Sequence, residues 1–187
     1  MPGDAMPPGS RTVQEEAQHW LDVAIGAKSA PALIAILDDL VKRPLRASGP
    51  MTPVHGDPKH GNCLWHEGRL TGLLDWEMSR LSEPLLDLGY ILMFQNQGKA
   101  SLGDAGYALP GWWSTEKMIA EWEQGMGRTA VDIARYTVLG QAKVAAIISV
   151  GAHLFNSGRV ADPRFGAFAA LLPSYMELLE KRAMAAG

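Results

Sequence analysis

Apolar positions along the chain recur at helical spacing at both ends and switch to short extended runs in between. Thr12 with Glu15 three residues later fits a capping box that opens a helix through about Ala24. Pro31 stands where a second helix can begin, and Leu33, Ile34, Leu37, Leu40 and Val41 repeat at helical spacing up to Arg43. Pro44 and the Ser48-Gly49-Pro50 cluster end it. Pro53-Val54-His55 reads as a short extended piece leading into a polar loop from Gly56 to Asn62. Cys63–His66 and Leu70–Trp76 flank Glu67-Gly68-Arg69, the pattern of a small β-hairpin. Pro84 opens a further helix carried by Leu85, Leu86, Leu88, Ile91, Leu92 and Phe94. A Gly-rich loop is expected over 96–114. Helices are expected at about 115–125, 130–157 and 164–185, the last kinked or broken at Pro173. Residues 1–10, rich in Pro and Gly, read as a flexible arm. The fold class is α+β and predominantly helical, with no internal repeat.

Composition narrows the function classes. The 187 residues are 47% hydrophobic and 20% charged, which suits a globular domain and excludes a disordered tail or a disulfide scaffold. The net charge of −3 comes without any long basic stretch, so no nucleic-acid partner is expected. Cys63 is the sole cysteine and cannot form an internal disulfide, in keeping with a reducing compartment. The N-terminus has prolines and an acid where a signal peptide needs a basic start and an apolar run. The most apolar stretch, Val138–Phe155, is interrupted by Gln141, Lys143, Ser149 and His153. A membrane span holds few such groups, so no membrane partner and a cytoplasmic location are expected.

The chemistry concentrates in His55-Gly56-Asp57-Pro58-Lys59-His60-Gly61-Asn62, followed after the hairpin by Leu74-Asp75-Trp76-Glu77. Four residues separate Asp57 from Asn62, and Asp75 lies eighteen after Asp57. That spacing fits a phosphoryl-transfer loop, H-x-D-x-x-x-x-N, with a metal-binding Asp at a strand end. A carboxylate such as Asp57 can orient an acceptor hydroxyl and take its proton. Asn62 and Asp75 are hard oxygen donors of the kind that hold Mg²⁺, which takes only one or two carboxylates and keeps several waters. Lys59 can place a positive charge beside the transferring group, and the hairpin would return the chain so that Asp75 lands opposite Asn62.

Other signals are weaker. His60, Cys63 and His66 suggest zinc, but strand alternation points Cys63 and His66 to opposite faces. Gly125-Met126-Gly127-Arg128-Thr129-Ala130 has dinucleotide-loop spacing but follows a helix, which reads as a helix stop and restart. His55 reads as a hydrogen-bonding support rather than a proton shuttle. Trp112, Trp113 and Trp122 read as core or loop anchors, with an aromatic acceptor wall as the alternative. Glu77 is left open between a second metal contact and a loop cap.

Taken together, the two linked motifs closely resemble the C-terminal lobe of the aminoglycoside phosphotransferase-like kinases, the phosphotransferase enzyme family. Leu74–Glu77 and Glu83–Tyr90 look most like members associated with acyl-CoA dehydrogenases. The resemblance is strong from about Pro53 to Leu92 and weaker, through helix order, to about Gly158. It implies a protein kinase-like C-lobe over 11–187, with catalytic loop 55–62, metal-binding segment 74–77 and helical remainder 84–185. It implies ATP and Mg²⁺ as cofactors, Asp57 as catalytic base, and Asn62 and Asp75 as metal ligands; Lys59 reads either as a catalytic, nucleotide-binding charge or as a solvated surface lysine. His55 and Asp87 would support the loop, Asp87 as a buried acid bracing it from the following helix. The acceptor would be a small-molecule hydroxyl: an aminoglycoside, an amino alcohol or a hydroxyacyl compound. The family's β-rich N-lobe, with its nucleotide-covering loop and lysine, has no counterpart in the 54 residues before His55. The expectation is therefore an N-lobe supplied in trans, or self-association. The other reading is a non-catalytic kinase-like remnant that binds a ligand or partner.

Overall fold

A computed structural model describes residues 9–95 and 111–187. Most of the expected 1–10 arm and of the 96–114 loop lies outside these residues. Helix α1, Val13–Gly26, starts on the capping box: Thr12 Oγ1 accepts from the Glu15 N–H, and Glu15 Oε2 accepts from the Thr12 N–H. Helix α2, Pro31–Lys42, begins on its proline and buries Leu33, Leu37 and Leu40 against α1.

Strand β1, Thr52–Val54, leads into the polar loop. The hairpin follows as β2, Cys63–His66, and β3, Arg69–Leu73, joined by Glu67 and Gly68 with φ of 47° and 73°. Two-residue hairpin loops require such positive φ values. β3 stops short of the expected Trp76, because Asp75 turns left-handed (φ 66°, ψ 55°) and Trp76–Met78 form a 3₁₀ turn. Strand β4, Arg80–Ser82, was not expected, since three residues with one apolar side chain carry no alternation. It pairs antiparallel with β1, Val54 opposite Arg80.

Helix α3, Leu85–Leu92, lies on α5, Ile133–Asn156. The two backbones approach so closely that a Cβ on Gly89 would sit 2.6 Å from the Tyr136 carbonyl carbon. A Cβ on Gly140 would lie 3.0 Å from the Tyr90 Cα. This crossing fixes where Tyr90 points. Helix α4, Thr115–Met126, ends on left-handed Gly127, the stop expected there, and α5 starts three residues later than expected, after left-handed Asp132. α5 is long and apolar enough to cross a membrane by length and composition alone. Here it packs against α1, α2, α3 and α6 and buries Tyr136, Leu139, Gln141 and Lys143.

Helix α6 runs unbroken from Pro163 to Ala186, so no break falls at Pro173. α6 packs on α5, and Tyr175, Met176 and Leu179 carry the apolar face from Leu172 on beyond the proline. That packing outweighs the loss of one backbone donor.

Candidate active site

The loop after β1 is tied down from behind. Asp87, in the first turn of α3, accepts the His55 N–H at 2.7 Å and the Gly56 N–H at 2.8 Å, one on each carboxylate oxygen. His55 is buried; its Nδ1 accepts the Asp57 N–H at 3.1 Å, which leaves Nε2 to donate to the Leu74 carbonyl at 2.8 Å. With both ring nitrogens so engaged, His55 links the loop to the end of the hairpin. Gly56 has φ +84°, and a Cβ there would stand 2.6 Å from the Met78 carbonyl oxygen, so only glycine fits.

Asp57 is 8% exposed and accepts four hydrogen bonds from side chains through its carboxylate and carbonyl. The Tyr90 hydroxyl donates to Oδ1, Lys59 Nζ to Oδ2 at 2.5 Å, and Asn62 Nδ2 to Oδ2 at 3.1 Å and to the backbone carbonyl at 2.9 Å. Burial alone would raise its pKa, but the Lys59, Tyr90 and Asn62 donors together with the lysine charge prevail and hold it below the usual carboxylate range. Asp57 is therefore an anion at neutral pH, aligned on both oxygens.

The hairpin does bring its two ends together. Cys63 pairs with Leu73, and the Leu74 N–H donates to the Asn62 carbonyl at 2.8 Å, so Asp75 follows directly beside Asn62. Asp57, Lys59, Asp75 and Glu77 share one cavity of about 440 Å³ with Tyr90 and an apolar wall from α3, α5 and α6. Asn62 sits behind Asp57, outside the cavity lining.

Mg²⁺ fits this donor set. The Asn62 amide nitrogen is engaged with Asp57, which leaves its side-chain oxygen as the donor end, and the exposed Asp75 carboxylate follows across the hairpin. No group of three or more His, Cys, Asp or Glu that could cage a metal occurs among the described residues. The same finding goes against the zinc reading: His60 stacks on Trp65 at 5.9 Å, and Cys63 Sγ leans on the Lys59 carbonyl at 3.7 Å. Trp112 and Trp113 line a second cavity with Pro58, His60 and Trp65, away from Asp57, and Trp122 packs on the core.

Lys143 and Glu16 are buried charges that the sequence did not announce. Lys143, in the middle of α5, donates to the Gly56 carbonyl and lies 5.3 Å from the Trp20 ring centroid and 5.4 Å from that of Tyr90. Burial pulls its pKa down to about 8, against the attraction of Glu16, Asp57 and Asp87. Glu16 on α1 is also buried and accepts from Arg11, Trp20 and Arg80, while Arg80 Nη2 donates to the Met78 carbonyl at 2.8 Å. The signal for Lys143 was a lysine within the most apolar run of the chain. For Glu16 there was none, since a second glutamate in a helix's first turn is ordinary.

A crystal structure from Ralstonia eutropha JMP134, described as a candidate aminoglycoside phosphotransferase, shares this fold. It aligns with 96% of this chain at a TM-score of 0.77 and 20% identity, and this chain spans 57% of its length. No curated protein sequence matches. Residues 2–122 match the phosphotransferase enzyme family, a span that takes in α1 and α2 as well as the loop, hairpin and α3. By that match over more than half of its length, the chain belongs to the phosphotransferase enzyme family.

Proposed function

We propose that this chain carries the catalytic and acceptor-binding half of a kinase that moves the γ-phosphoryl group of ATP to the hydroxyl of a small molecule. The observation behind the proposal is the ionised Asp57 carboxylate, fixed on both oxygens at the head of a cavity that also holds Asp75 and Glu77. In the reaction, the acceptor oxygen forms a bond to the γ-phosphorus as the bond to the β-phosphate oxygen breaks. ADP leaves, and the hydroxyl proton passes to Asp57.

A carboxylate held below its usual range is a weak base, so its first task is to orient the hydroxyl. The proton moves late, which suits a loose transition state with little bond formation to the nucleophile. Lys59 balances the Asp57 charge and stands 42% exposed at the side chain, close to where the transferring group would sit. Mg²⁺, held by Asn62 and Asp75, would neutralise charge on the phosphates. Asp87, His55 and Lys143 keep the loop in place from the opposite side. A lobe that closes over the nucleotide, in cis or from a partner, belongs to the same proposal. The hairpin leaves Leu64, Trp65 and Leu70 about half exposed, apolar surface that such a lobe could cover.

The test is transfer from ATP labelled at the γ-phosphate by the complete enzyme, with its nucleotide-covering lobe, in the presence of Mg²⁺ and a panel of hydroxyl compounds. A phosphomonoester of an acceptor is expected. ATP turnover that yields only free phosphate, whatever the acceptor, contradicts the proposal. So does tight, saturable binding of acceptors without any transfer.

A further inference from the structure

The cavity that begins at Asp57 is chemically lopsided. Its polar residues, Asp57, Lys59, Asp75, Glu77 and Tyr90, come from the loop, the segment after the hairpin and one tyrosine. The rest of its wall is built by the C-terminal end of α3, the middle of α5 and the first turns of α6, through Phe94, Val144, Ile147, Ile148, Phe165 and Phe168. None of these side chains can donate or accept a hydrogen bond. Gly151 fixes how the two long helices meet there. A Cβ at that position would lie 2.6 Å from the Phe165 ring, so the ring rests directly on the α5 backbone.

Two members of this wall face water rather than the core. Ile147 is 42% exposed and Phe168 41%, one on each of two packed helices. Large apolar side chains that line a concave site beside a reactive carboxylate are the usual make-up of a ligand pocket, and about 440 Å³ is a typical volume for one.

On the phosphotransferase reading, we infer that the acceptor is an uncharged molecule with an apolar body and a hydroxyl at one end. The body lies against α3, α5 and α6, and the hydroxyl reaches Asp57. A polycationic amino sugar needs a carboxylate or carbonyl for each ammonium group, because an ammonium set against Ile147, Ile148 and Phe165 loses its water and gains no partner. The carboxylates that the described residues bring to this cavity all lie at the phosphate end. Asp57 is already engaged by Lys59, Asn62 and Tyr90, and Asp75 stands where the metal would be held. Among the described residues that leaves Glu77 to meet a cation, too little for a polyamine. The apolar wall and the crowded acidic end therefore select for the same kind of acceptor.

Binding can be read without turnover, by saturation-transfer NMR on the chain with n-octanol, phenylbutanol, glycerol and kanamycin, and by displacement of anilinonaphthalene sulfonate. The two apolar alcohols should bind and displace the dye, whereas glycerol and kanamycin should not. Ile147→Asp and Phe168→Asp, both at partly exposed positions, should each weaken the apolar alcohols about tenfold or more. Ile25→Asp, at an exposed apolar position on α1, should leave binding unchanged. Kanamycin binding as tightly as phenylbutanol overturns the inference, as does an Ile147→Asp variant with unaltered affinity for the alcohols. Dye access that falls as protein concentration rises would name a second copy of the chain as the occupant, and also overturns it. Phosphate transfer to kanamycin but not to phenylbutanol refutes the apolar acceptor and leaves the phosphotransferase reading standing. Apolar binding with no transfer to any hydroxyl by the complete enzyme refutes that reading, and the acceptor assignment with it.

Discussion

Lys143 offers a test of whether the loop is built on a charged group held out of water. Its ammonium is enclosed by Trp20 and Glu16 from α1, Arg80 from β4, Gly56 and Asp57 from the loop, and Asp87 and Tyr90 from α3. Desolvation and the Arg80 charge outweigh the three carboxylates, so the pKa falls from 10.5 to about 8. That difference corresponds to about 3 kcal/mol in proton binding between the native and unfolded chains. The folded value is depressed, which sets the sign. Between pH 8 and 10.5 the unfolded lysine keeps its proton and the native one releases it, so stability rises with pH across that window. As pH falls through 8 the contribution is lost, and the native state again carries a buried charge. Lys143→Met keeps the side chain's bulk and removes the titration. Urea unfolding of both proteins, followed by tryptophan fluorescence from pH 7 to 10.5, isolates the effect. Tyr136 and Tyr175, whose buried hydroxyls are pushed up and oppose the trend at high pH, cancel in the difference. The stability of the parent relative to the variant should grow by about 3 kcal/mol across the window. Parallel pH profiles would show that Lys143 is solvated, and the burial argument would fail.

Other perturbations probe the supports of the site. Asp87→Ala strands the His55 and Gly56 N–H groups and should cost about 2 kcal/mol or more in urea unfolding, while Asp87→Asn, which keeps one acceptor, should cost less. Gly89→Ala forces α3 off α5 and should destabilise by about 1–3 kcal/mol, with weakened near-ultraviolet dichroism from the displaced Tyr90. Thr12→Ala removes the α1 cap and should cost about 1 kcal/mol, read from the melting temperature. Asp57 should keep its charge as pH falls through the ordinary carboxylate range, so transfer measured against pH should decline only below it.

The sequence made the local grammar of the site legible because loop and hairpin are contiguous. Thr12 and Glu15, Pro31, and the spacing from His55 to Asp75 each act through near neighbours, and the α1 cap, the α2 start and the hairpin turn appear where the pattern placed them, with β3 ending early at Leu73. What escaped depends on distance. Lys143 reaches the Gly56 carbonyl from 87 residues away, and Arg80 reaches Glu16 across 64, with no local pattern to announce either pairing. β4 is too short to alternate and exists because β1 lies beside it. Pro173 looked like a break because its local effect was judged without the α5 surface that carries α6 past it. The cavity wall was also hidden, since Phe94, Ile147 and Phe168 come together only where α3, α5 and α6 meet.

The central claim is that Asp57 handles the acceptor's hydroxyl while Asp75 serves the metal. Its most direct test measures turnover together with Mg²⁺–ATP affinity for Asp57→Asn and Asp75→Asn in the complete, active form of the enzyme. Asp57→Asn should bind metal nucleotide nearly as the parent does and lose about 10²–10⁴-fold in kcat, the range of general-base contributions. Asp75→Asn should lose metal-dependent nucleotide binding along with activity, with partial recovery at higher Mg²⁺. An Asp57→Asn enzyme that loses metal and nucleotide as severely as Asp75→Asn, or that turns over at the parent rate, contradicts the account.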